Sequence, residues 1–133
     1  MNIDAAGRIA VLIPCYNEEV AIGAVIAGFR AALPDAAIYV FDNNSRDRTV
    51  EIARAAGAHV RREARQGKGA VVRRMFADVE ADTYVLVDGD GTYDAASAPR
   101  LVAALIEECL DMVCASRVAQ GQEAYRAGHR FGN

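Results

Sequence analysis

The chain has 133 residues, a mass of 14.2 kDa and a formal net charge of −3. That length makes one domain, and 53% hydrophobic with 25% charged residues are the proportions of a folded chain rather than a disordered one. No run reaches 18 consecutive apolar residues, Met1-Asn2-Ile3-Asp4 lacks the form of a secretory signal, and the acidic balance argues against a general nucleic-acid binder. The three cysteines, Cys15, Cys109 and Cys114, are few and set in apolar runs, which predicts small core residues of a reduced, cytoplasmic protein.

In chain order, Arg8 to Ile13 is a nearly continuous apolar run closed by Pro14 and predicts a buried strand. From Glu18 to Leu33, apolar residues at Ile22, Val25, Ile26, Phe29 and Leu33 share one helical face, with Asn17 as its expected N-cap. The cycle repeats with a strand over Ala37 to Phe41 and a helix striped by Thr49, Ile52, Ala53 and Ala56 that stops at Gly57. Ala58 to Arg62 predicts a weaker, polar strand near a sheet edge, and Val71, Val72, Met75, Phe76 and Val79 stripe a third helix. Thr83 to Val87 is the clearest strand. Leu101, Val102, Leu105, Ile106 and Cys109 stripe a fourth helix, and Met112 to Ala115 predicts a fifth strand. Strands and helices alternating over short connections predict an α/β domain with a mostly parallel central sheet flanked by helices.

Ligands of open parallel sheets bind outside the carboxyl ends of the strands. Each of those places carries polar residues here. Pro14-Cys15-Tyr16-Asn17-Glu18 follows the first strand and reads either as a strand stop and cap or as a loop holding a flat ring against Pro14 and Tyr16. Asp42 opens an Asn/Ser/Asp turn after the second strand, ordinary turn chemistry that also offers a carboxylate to a nucleobase. Gly67-Lys68-Gly69 opens the third helix, where free N–H groups, the helix dipole and an ammonium favour an anion. It is not the longer phosphate loop, because one residue separates the glycines and Ala70 replaces the hydroxyl.

Asp88-Gly89-Asp90-Gly91-Thr92 is the most informative segment. Two acids two residues apart on extended chain point into one crevice, a costly arrangement unless a cation joins them. Oxygen ligands suit Mg²⁺ or Mn²⁺, which bind through one or two carboxylates and substrate phosphates. The segment also resembles the first motif of haloacid-dehalogenase-type phosphatases. That family places the motif on its first strand and needs a downstream lysine, and Lys68 is the last lysine here.

Taken together, Pro14 to Glu18, Asp42, Gly67-Lys68-Gly69, Asp88-Gly89-Asp90 and Ser116-Arg117 resemble, in order and spacing, the family 2 glycosyltransferases of GT-A (Rossmann-like) fold. The resemblance is to the polyprenyl-phosphate sugar transferases of dolichol-phosphate mannose synthase type, and it runs from Ile9 to Asn133. It implies that Pro14, Tyr16 and Glu18 line a nucleotide pocket, that Asp42 contacts the base, and that Lys68 lies near the nucleotide. Asp88 would contact ribose or metal, and Asp90 would bind the Mg²⁺ or Mn²⁺ that bridges the donor diphosphate. Thr92 stands where such enzymes often carry a metal-binding glutamine. Arg117 matches an arginine assigned to phosphate, and Arg126 and Arg130 are candidates for a second.

The implied activity is inverting transfer from a UDP- or GDP-sugar to a polyprenyl phosphate, at the cytoplasmic face of the membrane. Alternatives are a polysaccharide or small alcohol acceptor, or a nucleotide-binding domain without turnover. A phosphate acceptor is already ionised near pH 7, whereas an alcohol needs a base, and beyond Arg117 only Glu123 and His129 are at hand. Family members usually continue into acceptor-site helices and membrane anchors. The expectation is therefore a single GT-A domain over 1–133, truncated at its C-terminus and poor at transfer, whose membrane association would come from the missing region.

Overall fold

The computed structural model describes residues 3–115. Four strands, β1 (Ile9–Cys15), β2 (Ala37–Asp42), β3 (His59–Arg62) and β4 (Thr83–Leu86), form one sheet in the order β3-β2-β1-β4, and every pairing is parallel. Four helices alternate with them: α1 (Ile22–Ala32), α2 (Thr49–Ala55), α3 (Lys68–Asp78) and α4 (Ala98–Glu107).

β1 is the central strand because its residues can be buried on both faces. Val11 and Ile13 join Ile22, Ile26, Phe29, Ile38 and Val40 in the layer under α1 and α2, while Ala10 and Leu12 join Phe41, Val71 and Met75 in the layer under α3. Successive side chains point to opposite faces, so a strand apolar at every position has to be covered twice. β3 is polar and occupies the sheet edge, as its composition predicts.

Three sequence expectations are corrected. The first helix begins at Ile22 rather than Glu18, and Asn17 is not its cap. The N–H groups of Glu18 and Glu19 bond instead to the side chains of Thr49 and Asp47, so this stretch is tied to the neighbouring loop before helix can begin. Residues 112–115 form no strand; Met112 is 72% exposed, with no adjacent ladder among the described residues to pair with. Of the three cysteines only Cys15 is a core residue. Cys109 and Cys114 are exposed, beyond the point where α4 stops covering the sheet.

Candidate active site at the carboxyl edge of the sheet

All strands being parallel, their carboxyl ends share one edge, and seven of the expected site residues lie along it. β1 runs through Pro14, which the sequence reads as its stop, to Cys15, with Tyr16 and Glu18 just beyond. Asp42 ends β2, Lys68 is the first residue of α3, and Asp88 and Asp90 follow β4. Arg117, Arg126 and Arg130, with Ser116, Glu123 and His129, lie outside the described residues.

The loops carrying these groups are fastened by side chains that accept or donate to backbone. Asn17 (φ 52°) donates its N–H to Ser45 Oγ at 2.8 Å and accepts from the Arg46 N–H at 2.9 Å, which joins the loops after β1 and β2. Asn tolerates this left-handed backbone better than most residues. Asn43, buried beside Asp42, donates to the carbonyls of Glu63 and Arg65 at 2.8 and 2.9 Å and accepts from the Gly67 N–H at 2.9 Å. It thereby fixes the turn that starts α3, where Gly67 adopts φ 121°. Sequence reasoning passed over Asn43 because an asparagine after a strand is ordinary turn chemistry. The one available signal was the doubled Asn43-Asn44 at a strand end.

Asp42 is 1% exposed. Its Oδ2 accepts from the Ser45 N–H at 3.1 Å, and its Oδ1 is buried without a hydrogen-bond partner. An unpaired buried acceptor costs about 1–3 kcal/mol, and more when charged. The residue lines a cavity of about 250 Å³ with Ser45, Asp47 and three arginines of the β3 side.

Across the edge, Lys68 Nζ donates to Asp88 Oδ1 at 2.5 Å. Gly89, in the turn after β4, packs tightly against the end of β1: a Cβ on it would lie 2.6 Å from Cys15 Sγ. Asp90 Oδ1 accepts from both the N–H and the hydroxyl of Thr92, at 3.0 and 2.7 Å. Thr92 therefore orients Asp90. Glu18 is held above the usual carboxylate range, first by partial burial and then by the charges of Asp90 and Asp88. Burial, with Glu18, Asp42 and Asp88 around it, also pushes the Cys15 thiol up. Tyr16, 51% exposed, presents its ring to solvent at the mouth.

The donor set fits a hard divalent cation. Asp88 and Asp90 offer carboxylate oxygens beside a third carboxylate whose ionisation they oppose, a field that a cation would relieve. Among the described residues no three His, Cys, Asp or Glu converge as a closed metal site. The protein would thus contribute one or two ligands and leave the rest to phosphate and water, the usual habit of Mg²⁺. A larger cleft of about 600 Å³, walled by residues such as Gly28, Phe29, Ala32 and Tyr93, meets this site only at Asp88 and Gly91. None of its lining residues is a cation that could hold a diphosphate.

A parallel β3-β2-β1-β4 sheet with an acidic turn after its fourth strand defines the nucleotide-sugar transferase class of α/β domain, the GT-A fold. The chain belongs to glycosyl transferase family 2, whose sequence model matches residues 10–132. It is 57% identical over 124 residues to protein RfbJ of Shigella flexneri, covering 92% of this chain and 96% of that one. It is 35% identical over 125 residues to a dolichyl-phosphate hexose transferase of Haloferax volcanii, covering 94% of this chain and 54% of the relative. Its fold matches glucosyl-3-phosphoglycerate synthase from Mycobacterium tuberculosis in complex with UDP, at a TM-score of 0.69 and 30% identity, over 78% of this chain and 42% of that chain. The same synthase has been solved with Mn²⁺, UDP and glucosyl-3-phosphoglycerate. The chain thus spans nearly all of RfbJ and about half or less of these other two.

Proposed function

We propose that residues 1–133 form a single donor-binding domain of a metal-dependent, inverting glycosyltransferase that moves a sugar from a UDP- or GDP-sugar to a polyprenyl phosphate. The observation that carries this reading is the convergence of Asp42, Lys68, Asp88 and Asp90 on one sheet edge. A base acceptor, a phosphate cation and an acidic pair there match the three parts of a nucleoside diphosphate sugar.

Asp42 receives the base. Its Oδ2 is already engaged, so one oxygen remains for one N–H. Uracil presents one such N–H between two carbonyls, whereas guanine presents two side by side, so the arrangement favours UDP. The solved relatives that carry UDP support the same choice. Lys68, at the positive end of α3, binds and orients the diphosphate. Asp88 and Asp90 hold the cation, with Asp90 steadied by Thr92. A bound Mg²⁺ or Mn²⁺ supplies charge stabilisation to the departing diphosphate. The acceptor attacks from the opposite face of the anomeric carbon, and an ionised lipid phosphate needs no protein base to do so. Arg117, with Arg126 or Arg130, would hold that phosphate. The dolichyl-phosphate relative supports the lipid acceptor, and a lipid acceptor would put the reaction at a membrane face, which this reading takes to be the cytoplasmic one. Among the described residues no helix is long and apolar enough to cross a membrane.

The test is a thermal-shift panel of UDP, GDP and their sugars, with and without Mn²⁺. A ligand at 100 times its dissociation constant adds about 2.7 kcal/mol of stability. A shift with UDP and Mn²⁺ together, lost in the Asp88→Asn/Asp90→Asn double variant, is expected. No shift with any nucleotide would defeat the reading.

A further inference from the structure

Charge is distributed very unevenly along this chain. Residues 54–74 hold seven of its 15 lysines and arginines against one acid, Glu63, a balance of +6. With a net charge of −3, the remainder of the chain carries −9.

The fold brings four of these cations, Arg54, Arg61, Arg62 and Arg65, to the β3 side of the sheet. Arg61 and Arg62 project from alternate faces of β3, the outermost strand on that side. Arg54 comes from α2 and lines one cavity with both of them. Arg65 follows β3 at a point where Asn43 holds its carbonyl. Some of the charge is answered locally: Arg61 pairs with Asp78, and Arg74 pairs with Asp78 and Glu63. Arg54, Arg62 and Arg65 are exposed and have no ion pair among the described residues. Of the two carboxylates of the shared cavity, Asp47 is engaged by Thr49 and the Glu19 N–H, and Asp42, with one oxygen on the Ser45 N–H and the other buried without a partner, forms no ion pair with the arginines.

We infer that the β3 edge is an electrostatic docking surface for an anionic phospholipid bilayer. Charge on the edge strand itself protects it from unwanted pairing, but Arg54 and Arg65 lie off the strand, on α2 and after β3, where that need does not account for them. A domain with unpaired Arg54, Arg62 and Arg65 together at one edge and an excess of acids over the rest of the chain suits a planar polyanion, which meets one face and stays clear of the rest. A nucleic acid that wrapped the domain would meet the acidic remainder. Basic clusters gain roughly fivefold in partition to an anionic membrane per arginine near its surface. Arg62 and Arg65 stand at the carboxyl end of β3, on the same edge of the sheet as Asp42, Lys68 and Asp88. Docking through them would bring the donor site toward the headgroup layer. That consequence rests on the lipid-phosphate reading, whereas the docking itself does not.

Vesicle co-sedimentation of the whole chain tests this directly, using vesicles free of polyprenyl phosphate and of nucleotide. We expect binding to phosphatidylcholine containing about 30% phosphatidylglycerol, none to phosphatidylcholine alone, and release near 0.5 M salt, where screening is nearly complete. Arg54→Gln/Arg62→Gln/Arg65→Gln should lower the partition on the order of a hundredfold. Its melting temperature should stay unchanged. A control losing the same charge elsewhere, Arg8→Gln/Arg48→Gln/Arg100→Gln, should still bind. Failure of the native chain to bind anionic vesicles, or equal loss in both triple variants, would overturn the proposal. So would tighter binding to a single-stranded oligonucleotide than to the vesicles. A missing UDP shift with intact vesicle binding would defeat the donor reading and leave this one standing.

Discussion

Lys68 Nζ lies 2.5 Å from Asp88 Oδ1, joining the first residue of α3 to the acidic turn after β4. The ammonium occupies one of the oxygens a divalent cation would take, and the pair is well exposed, at 62% and 31% for the two side chains. An exposed ion pair contributes at most about 1 kcal/mol, so Lys68→Met should move the melting temperature by no more than a few degrees. Affinity for UDP with Mn²⁺, read by titration calorimetry, should fall about tenfold, the worth of roughly 1.4 kcal/mol of phosphate contact. Mn²⁺ alone, followed by paramagnetic resonance, should bind no more weakly than to the native chain. Unchanged UDP affinity would remove Lys68 from the site.

The charge of Asp90 opposes the ionisation of Glu18. Replacing Asp90 by Asn keeps an oxygen for Thr92 and removes one charge of the acidic group. Two unit charges about 4 Å apart in water repel by roughly 1 kcal/mol. Asp90→Asn should therefore raise the metal-free melting temperature by about 1–3 °C, while the part of the UDP shift that depends on Mn²⁺ disappears. A fall in the metal-free melting temperature would mean that the Thr92 bonds outweigh the repulsion.

Much of this site was legible because a parallel sheet makes strand ends informative. Once Arg8 to Ile13 and Thr83 to Val87 are read as strands, Glu18, Asp88 and Asp90 fall at one edge with no further assumption. Asn43 was hidden because its partners are carbonyls some 20 residues away, and no local pattern reports them. The late start of α1 was hidden for a related reason: the groups that hold the Glu18 and Glu19 N–H, Thr49 at the start of α2 and Asp47 just before it, are remote in sequence. Met112 to Ala115 misled because apolar composition marks what a strand contains, and a strand also needs a neighbour.

Asp42→Asn tests the base contact. The amide oxygen can still accept from the Ser45 N–H, and the nitrogen replaces the unpaired Oδ1 with a donor that faces the N–H of the base. Because a buried charge with one unpartnered oxygen is removed, stability should hold or rise, while UDP affinity drops at least tenfold by calorimetry. Retained UDP affinity would move the base elsewhere along the edge.

The thiols should divide by burial. Cys109 and Cys114 are exposed, while Cys15 is enclosed and its thiol held far from ionisation. The thiolate is the reactive form, so a chromogenic disulfide reagent at pH 8 should titrate two thiols promptly and the third only in denaturant. Three prompt equivalents would mean that the β1 end opens readily in solution.

The contact between Gly89 and Cys15 makes the sharpest mechanical prediction. A methyl on Gly89 would sit 2.6 Å from Cys15 Sγ, inside the buried layer, with Ile13 and Ile22 behind it at 3.4 and 3.5 Å. Over-packing of this kind costs about 1–3 kcal/mol, so Gly89→Ala should lower the midpoint of urea unfolding with little change in slope. Relief must come from the sulfur, since the apolar neighbours are already in ordinary contact. Cys15→Ala alone should be mildly destabilising, and the Cys15→Ala/Gly89→Ala double variant should recover at least about 1 kcal/mol of the summed loss. Its UDP shift should return with its stability, because Asp88 and Asp90 flank the residue that had been displaced. Additive losses in the double variant would mean that the strain lies in the backbone of the acidic turn instead of at Cys15.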